Sequence, residues 1–200
     1  MYADDILLLS ASVVTLQSML DICYEYGQKH DIVFNCDKTF CMKVGCKWRV
    51  DISNMVLNET QIAWVDDIKY LGIVLVSGSK FQIDCAYIKR KFYVACNSVL
   101  VRCKYADEFV KLSVVKSKCL PMLTYCLGAL ALPQSKVREL GVCWNDCFRK
   151  IFKYNRWESV SELQNCCGEL TFKCIYDNSR FKFLNSVNVI KIVQLVQHLT

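Results

Sequence analysis

A change of hydrophobic period near Ser77-Gly78-Ser79 constrains this chain more than any other feature. Before it, short apolar runs alternate with Asn, Asp and Gly. Ile32–Asn35, Thr39–Val44, Trp48–Ile52, Gln61–Val65 and Lys69–Val76 each read as a strand between turns. One helical stripe interrupts them: Val13, Leu16, Leu20, Cys23 and Tyr24 recur at three or four residues, with Ser10 or Ser12 as cap and Gly27 as end. After Ser79 the period becomes helical throughout. Ile88, Phe92, Cys96, Val99 and Cys103 form one stripe, and Leu112, Val115, Cys119, Met122 or Leu123, Cys126 and Leu130 a second. Val137, Leu140, Trp144, Phe148 and Ile151 form a third, and Thr171–Phe183 a last helical stretch. Ser159 and Glu162 have capping-box spacing. The pattern predicts an α+β protein: antiparallel strands plus a helix over residues 1–77, then an all-helical bundle over 80–200.

The chain opens on Met1-Tyr2-Ala3-Asp4-Asp5, followed by Ile6-Leu7-Leu8-Leu9. The four apolar residues are too uniform for an amphipathic helix and predict a buried strand, with Asp4 and Asp5 on a turn at its mouth. Adjacent carboxylates repel, and burying them unpaired is costly. A divalent cation would compensate, and Mg²⁺ suits such hard oxygen ligands together with substrate phosphates. The plainer reading is a solvated Asp pair in a surface turn.

Charge is divided unevenly. Residues 1–79 carry a net −4 and residues 80–200 a net +10. Clusters Lys89-Arg90-Lys91 and Arg149-Lys150-Lys153 are candidates for nucleic-acid backbone contacts, or else they are ordinary solvated helix faces. The 14 cysteines include no Cys-x-x-Cys, and Cys36, Cys41, Cys46 with His30 match structural zinc spacing poorly. With no signal-peptide pattern at the start, they predict small core residues in a reducing compartment, cytoplasm or nucleus. The longest uncharged run, Cys119–Ser135, is too polar for a membrane span and predicts a buried helix.

Tyr2-Ala3-Asp4-Asp5 with Ile6-Leu7-Leu8-Leu9-Ser10 resembles the catalytic turn of LINE-type (non-LTR) retrotransposon reverse transcriptases. Further along, Gly27–Ile32 and Asn35-Cys36-Asp37-Lys38-Thr39 are similar to the family's next segment, Asn-x-x-Lys-Thr/Ser. Ile68-Lys69-Tyr70-Leu71-Gly72-Ile73 resembles its primer-gripping hairpin. Val137–Trp157, closing on Arg156-Trp157, and Asn185–Ile190 resemble runs beyond the family's thumb.

The resemblance implies a partial polymerase palm (1–77) followed by a helical thumb and C-terminal extension (80–200). It implies two-metal nucleotidyl transfer with Mg²⁺ on Asp4 and Asp5, and Lys38 at the triphosphate end. Tyr2, Tyr70, Leu71 and Gly72 would contact primer or nucleotide. RNA template and DNA primer would be the partners, with no membrane and no cofactor beyond metal and dNTP. The family also needs a third carboxylate on an upstream strand and a fingers region, and neither is legible in these 200 residues. The chain therefore reads as a C-terminal fragment begun at an internal methionine and inactive alone. The alternative is a non-catalytic basic helical module that binds nucleic acid or protein, with a vestigial Asp pair.

Overall fold

Two tight hairpins and a helix build the first of two units. The computed structural model describes residues 5–197, with side chains placed to residue 187, and divides after Asp84. The protein is a mostly helical α+β chain, with small antiparallel sheets in its first part and six helices after them among the described residues.

In the first unit, α1 (Val13–Lys29) packs on β1 (Met55–Leu57), which pairs with β2 (Thr60–Ile62). Leu20, Cys41, Met55, Leu57 and Ile62 form the small buried core, and Leu8, Leu16, Phe34 and Trp64 pack around it. The Gln17 amide docks on the outer edge of β1. Its Nε2 donates to the Val56 carbonyl at 2.7 Å, and its Oε1 accepts from the Val56 N–H at 2.9 Å. A side chain thus satisfies backbone groups that a further strand would otherwise take. A second sheet orders β3 (Asp67–Tyr70), β4 (Ile73–Val76) and β5 (Gln82–Ile83). Both hairpins have two-residue turns with positive φ at each position: Asn58-Glu59 at 50° and 60°, and Leu71-Gly72 at 47° and 82°. That sign pattern marks a type I′ turn, whose twist suits antiparallel strands.

The first unit corrects several sequence expectations. Ile6–Leu9 is not a buried strand: it forms no ladder, and Ile6, Leu7 and Leu9 are exposed. Only Leu8 of the run packs against the unit's core. Ile32–Asn35 is irregular, with Val33 exposed, and Trp48–Ile52 forms no strand. Thr39–Val44 makes isolated bridges only, Cys41 to Trp64 and Val44 to Gly78. Lys69–Val76 is a hairpin rather than one strand, and β1 was not anticipated. Gly27 does not end α1. It sits where an added Cβ would lie 2.7 Å from the Ile32 carbonyl oxygen, and the reversal comes at Asp31, with φ 54°.

The second unit starts with α2 (Cys85–Arg102) and contains α3 (Glu108–Lys118), α4 (Leu120–Thr124), α5 (Gln134–Phe152), α6 (Ser161–Cys166) and α7 (Phe172–Gln197). The stripe on α5 is realised in full: Val137, Leu140, Trp144, Phe148 and Ile151 are all buried. Helix α5 ends with Lys153 in the left-handed region, φ 61°, where both Lys153 and Tyr154 N–H groups donate to the Arg149 carbonyl. The second expected stripe is broken. Pro121 has no N–H to continue the ladder, so α3 stops at Lys118 and α4 is one short piece. Cys126 then turns with φ 57° and is exposed, so Cys119–Ser135 is not one buried helix. The capping box at Ser159 is also absent: Val160 is the N-cap of α6, and no side chain caps it. Tyr176 of α7 anchors the stretch before α5, its hydroxyl donating to the Leu130 carbonyl and accepting from the Leu132 N–H, both at 2.9 Å.

Candidate functional site

Of the residues singled out for chemistry, Tyr2 and Asp4 lie outside the described residues. Asp5 is exposed, and Leu8, three residues on, packs against the first unit's core. Lys38 occupies a single 3₁₀ turn, Cys36–Lys38, which the Asn35 side chain caps by accepting from the Lys38 N–H at 3.2 Å. The Thr39 hydroxyl closes the same turn on the Asn35 carbonyl at 2.8 Å. Asn35 and Thr39 thus have a local role, leaving the exposed Lys38 side chain projecting from a fixed turn. Cys36 in that turn and Leu8 reach the same core. No group of three or more His, Cys, Asp or Glu able to hold a metal occurs among the described residues.

Tyr70, Leu71 and Gly72 come together at the tip of the β3–β4 hairpin. Tyr70 ends β3 opposite Ile73, and Leu71 and Gly72 are the turn itself. Gly72 meets the left-handed backbone without strain, whereas Leu71 adopts it at a cost. A non-glycine residue held there is a recurrent feature of binding sites.

The basic clusters are joined by a polar seam between α2 and α5, which run in the same direction. Lys89 pairs with Glu139, the Tyr93 hydroxyl donates to Asp146 at 2.8 Å, and Lys150 donates to the Asn97 side chain at 2.9 Å. Glu139 also takes Lys136 at 3.0 Å, and hydrogen bonds from Lys89 and then Lys136 hold its carboxyl below the usual range. Arg149 is tied to Asp146 at 2.9 Å and to the Glu158 carbonyl at 3.1 Å. Lys89 and Arg149 are therefore committed within the protein. Lys91 lies over the Tyr87 ring at 4.7 Å, and Lys150 over the Tyr93 ring at 5.4 Å. Arg90 and Lys153 are exposed and form no salt bridge among the described residues. Sequence reasoning missed Glu139, Tyr93 and Asp146, whose partners are about fifty positions away and carry no local signal.

None of the cysteines forms a disulfide, and no described helix is long and apolar enough to cross a membrane. No family model matches the chain, and no curated protein or solved structure matches it.

Proposed function

We propose that this chain is part of an RNA-directed DNA polymerase of the LINE-type retrotransposon class, comprising a piece of palm and a helical thumb. The observation that carries the reading is the Leu71-Gly72 hairpin tip, with its strained leucine, on the segment that resembles a primer grip. It follows, in family order, the Tyr-Ala-Asp-Asp run, a helix, and the capped Asn35–Thr39 turn bearing Lys38. On this reading Asp4 and Asp5 would hold Mg²⁺, which would supply the charge that activates the primer 3′-oxygen and stabilises the leaving oxygen. Lys38 screens charge and supplies a proton at the triphosphate. Tyr70, Leu71 and Gly72 hold the primer end. The third carboxylate and the nucleotide-binding fingers would come from a segment other than these 200 residues.

The test is dNTP incorporation on poly(rA)/oligo(dT) with Mg²⁺ or Mn²⁺. The chain alone should incorporate nothing. Fused in cis behind the fingers and upstream palm of a LINE-type polymerase, it should extend the primer, and Asp4→Asn or Asp5→Asn should abolish that. A well-folded fusion whose activity ignores both substitutions would sink the reading.

A second reading, a basic module that binds nucleic acid without catalysis, is favoured by the +10 charge of residues 80–200. With Lys89 and Arg149 already paired, Arg90, Lys91, Lys150 and Lys153 remain to meet phosphates. Four phosphate contacts predict a slope of log affinity on log salt of roughly −3.6 on duplex DNA. A flat dependence, or no binding at low salt, would leave the lysines as solvated faces.

A further inference from the structure

Three buried thiols meet inside the second unit. Cys96 of α2 and Cys147 of α5 face each other with sulfurs 2.8 Å apart, and both are almost wholly buried. Cys119, between α3 and α4, is fully buried and hydrogen-bonds with Cys96. Phe92, one turn before Cys96, and Phe148, one residue after Cys147, are fully buried as well. The two sulfurs are thus held by packed helices rather than by mobile loops. Closing 2.8 Å to a disulfide needs a movement of roughly 0.8 Å.

We propose that Cys96 and Cys147 form an oxidation site, a dithiol that a peroxide converts to a disulfide stapling α2 to α5. The reaction has two steps. The Cys96 sulfur attacks one oxygen of hydrogen peroxide, the O–O bond breaks, and Cys96 becomes a sulfenic acid as one water leaves. The Cys147 sulfur then attacks the Cys96 sulfur, the S–O bond breaks, and the second water carries off the Cys147 proton. Two thiols lose two electrons, and one peroxide becomes two waters. Cys96 is the attacking partner because its hydrogen bond with Cys147, and then the charge of Lys150 and a hydrogen bond with Cys119, favour its thiolate against the opposing effect of burial. Cys147 is held in its protonated form, chiefly by that same hydrogen bond and by burial. Burial and the neighbouring Cys96 push Cys119 up to about 11, which leaves it a poorer nucleophile. Local opening of the helices admits the peroxide and sets the rate. The staple closes a loop across 51 positions, so it removes freedom mainly from the unfolded chain.

The experiment exposes the full chain to hydrogen peroxide, alkylates it after denaturation, and maps peptides without reduction. The expected product is a Cys96–Cys147 cross-linked peptide, lighter by the two thiol hydrogens, together with a raised melting temperature that dithiothreitol reverses. Cys119→Ser should leave the cross-link in place, and Cys147→Ser should abolish it. Recovery of Cys96 and Cys147 as alkylated thiols while the exposed Cys126 and Cys166 are oxidised would overturn the proposal. So would a Cys96–Cys119 cross-link as the main product. The wild-type map decides the matter even if a variant fails to fold.

Discussion

One oxygen atom at Tyr93 links three properties of the helical unit. Its hydroxyl donates to Asp146 at 2.8 Å, and its ring lies beneath Lys150. Burial, and then hydrogen bonding to Cys143 and Asp146, hold its proton far beyond the ordinary tyrosine range. A raised folded-state value means that this contribution to stability is complete below about pH 10 and falls as pH rises past it. Tyr93→Phe should cost about 1–2 kcal/mol near neutrality. It should also flatten the alkaline fall in stability relative to wild type, measured by urea unfolding across pH. An unchanged alkaline limb would show that the phenol is not desolvated as described. Gly128 is a different kind of single-residue constraint. An added Cβ would stand 2.6 Å from the Ser179 carbonyl oxygen of α7, and a backbone carbonyl cannot rotate away. Gly128→Ala should therefore destabilise by about 1–3 kcal/mol, read as a lower urea midpoint, and an Ala variant as stable as wild type would contradict the close approach. Neither role was legible in the sequence. Tyr93 lies off the apolar stripe of α2, and Gly128 lies within the uncharged run Cys119–Ser135 with no local signal of a close contact. Both depend on partners about fifty residues distant.

Among elements, legibility followed length and period. Helices α2 and α5 could be read because the apolar stripe repeats over several turns: it is buried in full on α5 and from Ile88 to Cys96 on α2, where Val99 is half-buried and Cys103 lies past the helix end. The strands are three or four residues long, or two in β5, too few for alternation to fix a phase. Their placement rests on turns and on Gln17, which no strand pattern encodes. Pro121 was visible in the sequence, but the apolar spacing ran on past it, and the ladder rather than the stripe decided where α3 ends. The candidate site divides in the same way. Asn35 and Lys38 sit on a local turn, whereas the apolar pattern ran through the Tyr70–Gly72 tip as one strand and only the resemblance implied a hairpin there. The ion pairs that occupy Lys89 and Arg149 arise from packing and were invisible. Leu71 supplies the test at this scale. Asn tolerates a positive φ far better than Leu and is favoured at this turn position. Leu71→Asn should stabilise the β3–β4 hairpin by about 1 kcal/mol, seen as slower amide exchange at Tyr70 and Ile73. In the fused polymerase the same substitution should raise KM for the primer if the leucine is kept for contact. Faster exchange in Leu71→Asn would mean that the turn is not strained.

At the scale of the whole molecule, the exposed segment at Ile6–Leu9 bears on how the protein behaves in solution. Ile6 is 45%, Leu7 47% and Leu9 76% exposed, while Leu8 turns toward the core. The segment is apolar, and it forms no strand ladder among the described residues. Such a stretch pairs readily with a copy of itself, because chain-to-chain ladders satisfy the backbone and bury the side chains together. The second unit contributes less to this hazard, since its long apolar stripe on α5 is already buried within the unit and its net charge is strongly positive. The expected outcome is concentration-dependent association of the full chain in sedimentation, under reducing conditions that remove cysteine cross-linking as a cause. Replacing both Leu7 and Leu9 by Lys should suppress it, because like charges on adjoining copies repel and two of the segment's three exposed apolar side chains are lost. The substituted residues are exposed, so the fold should tolerate the change, with circular dichroism as the check. Association that persists at the same concentration in the folded double variant would place the sticky surface elsewhere. The exposed Phe181 and Leu184 of α7 would then be the next surface to charge.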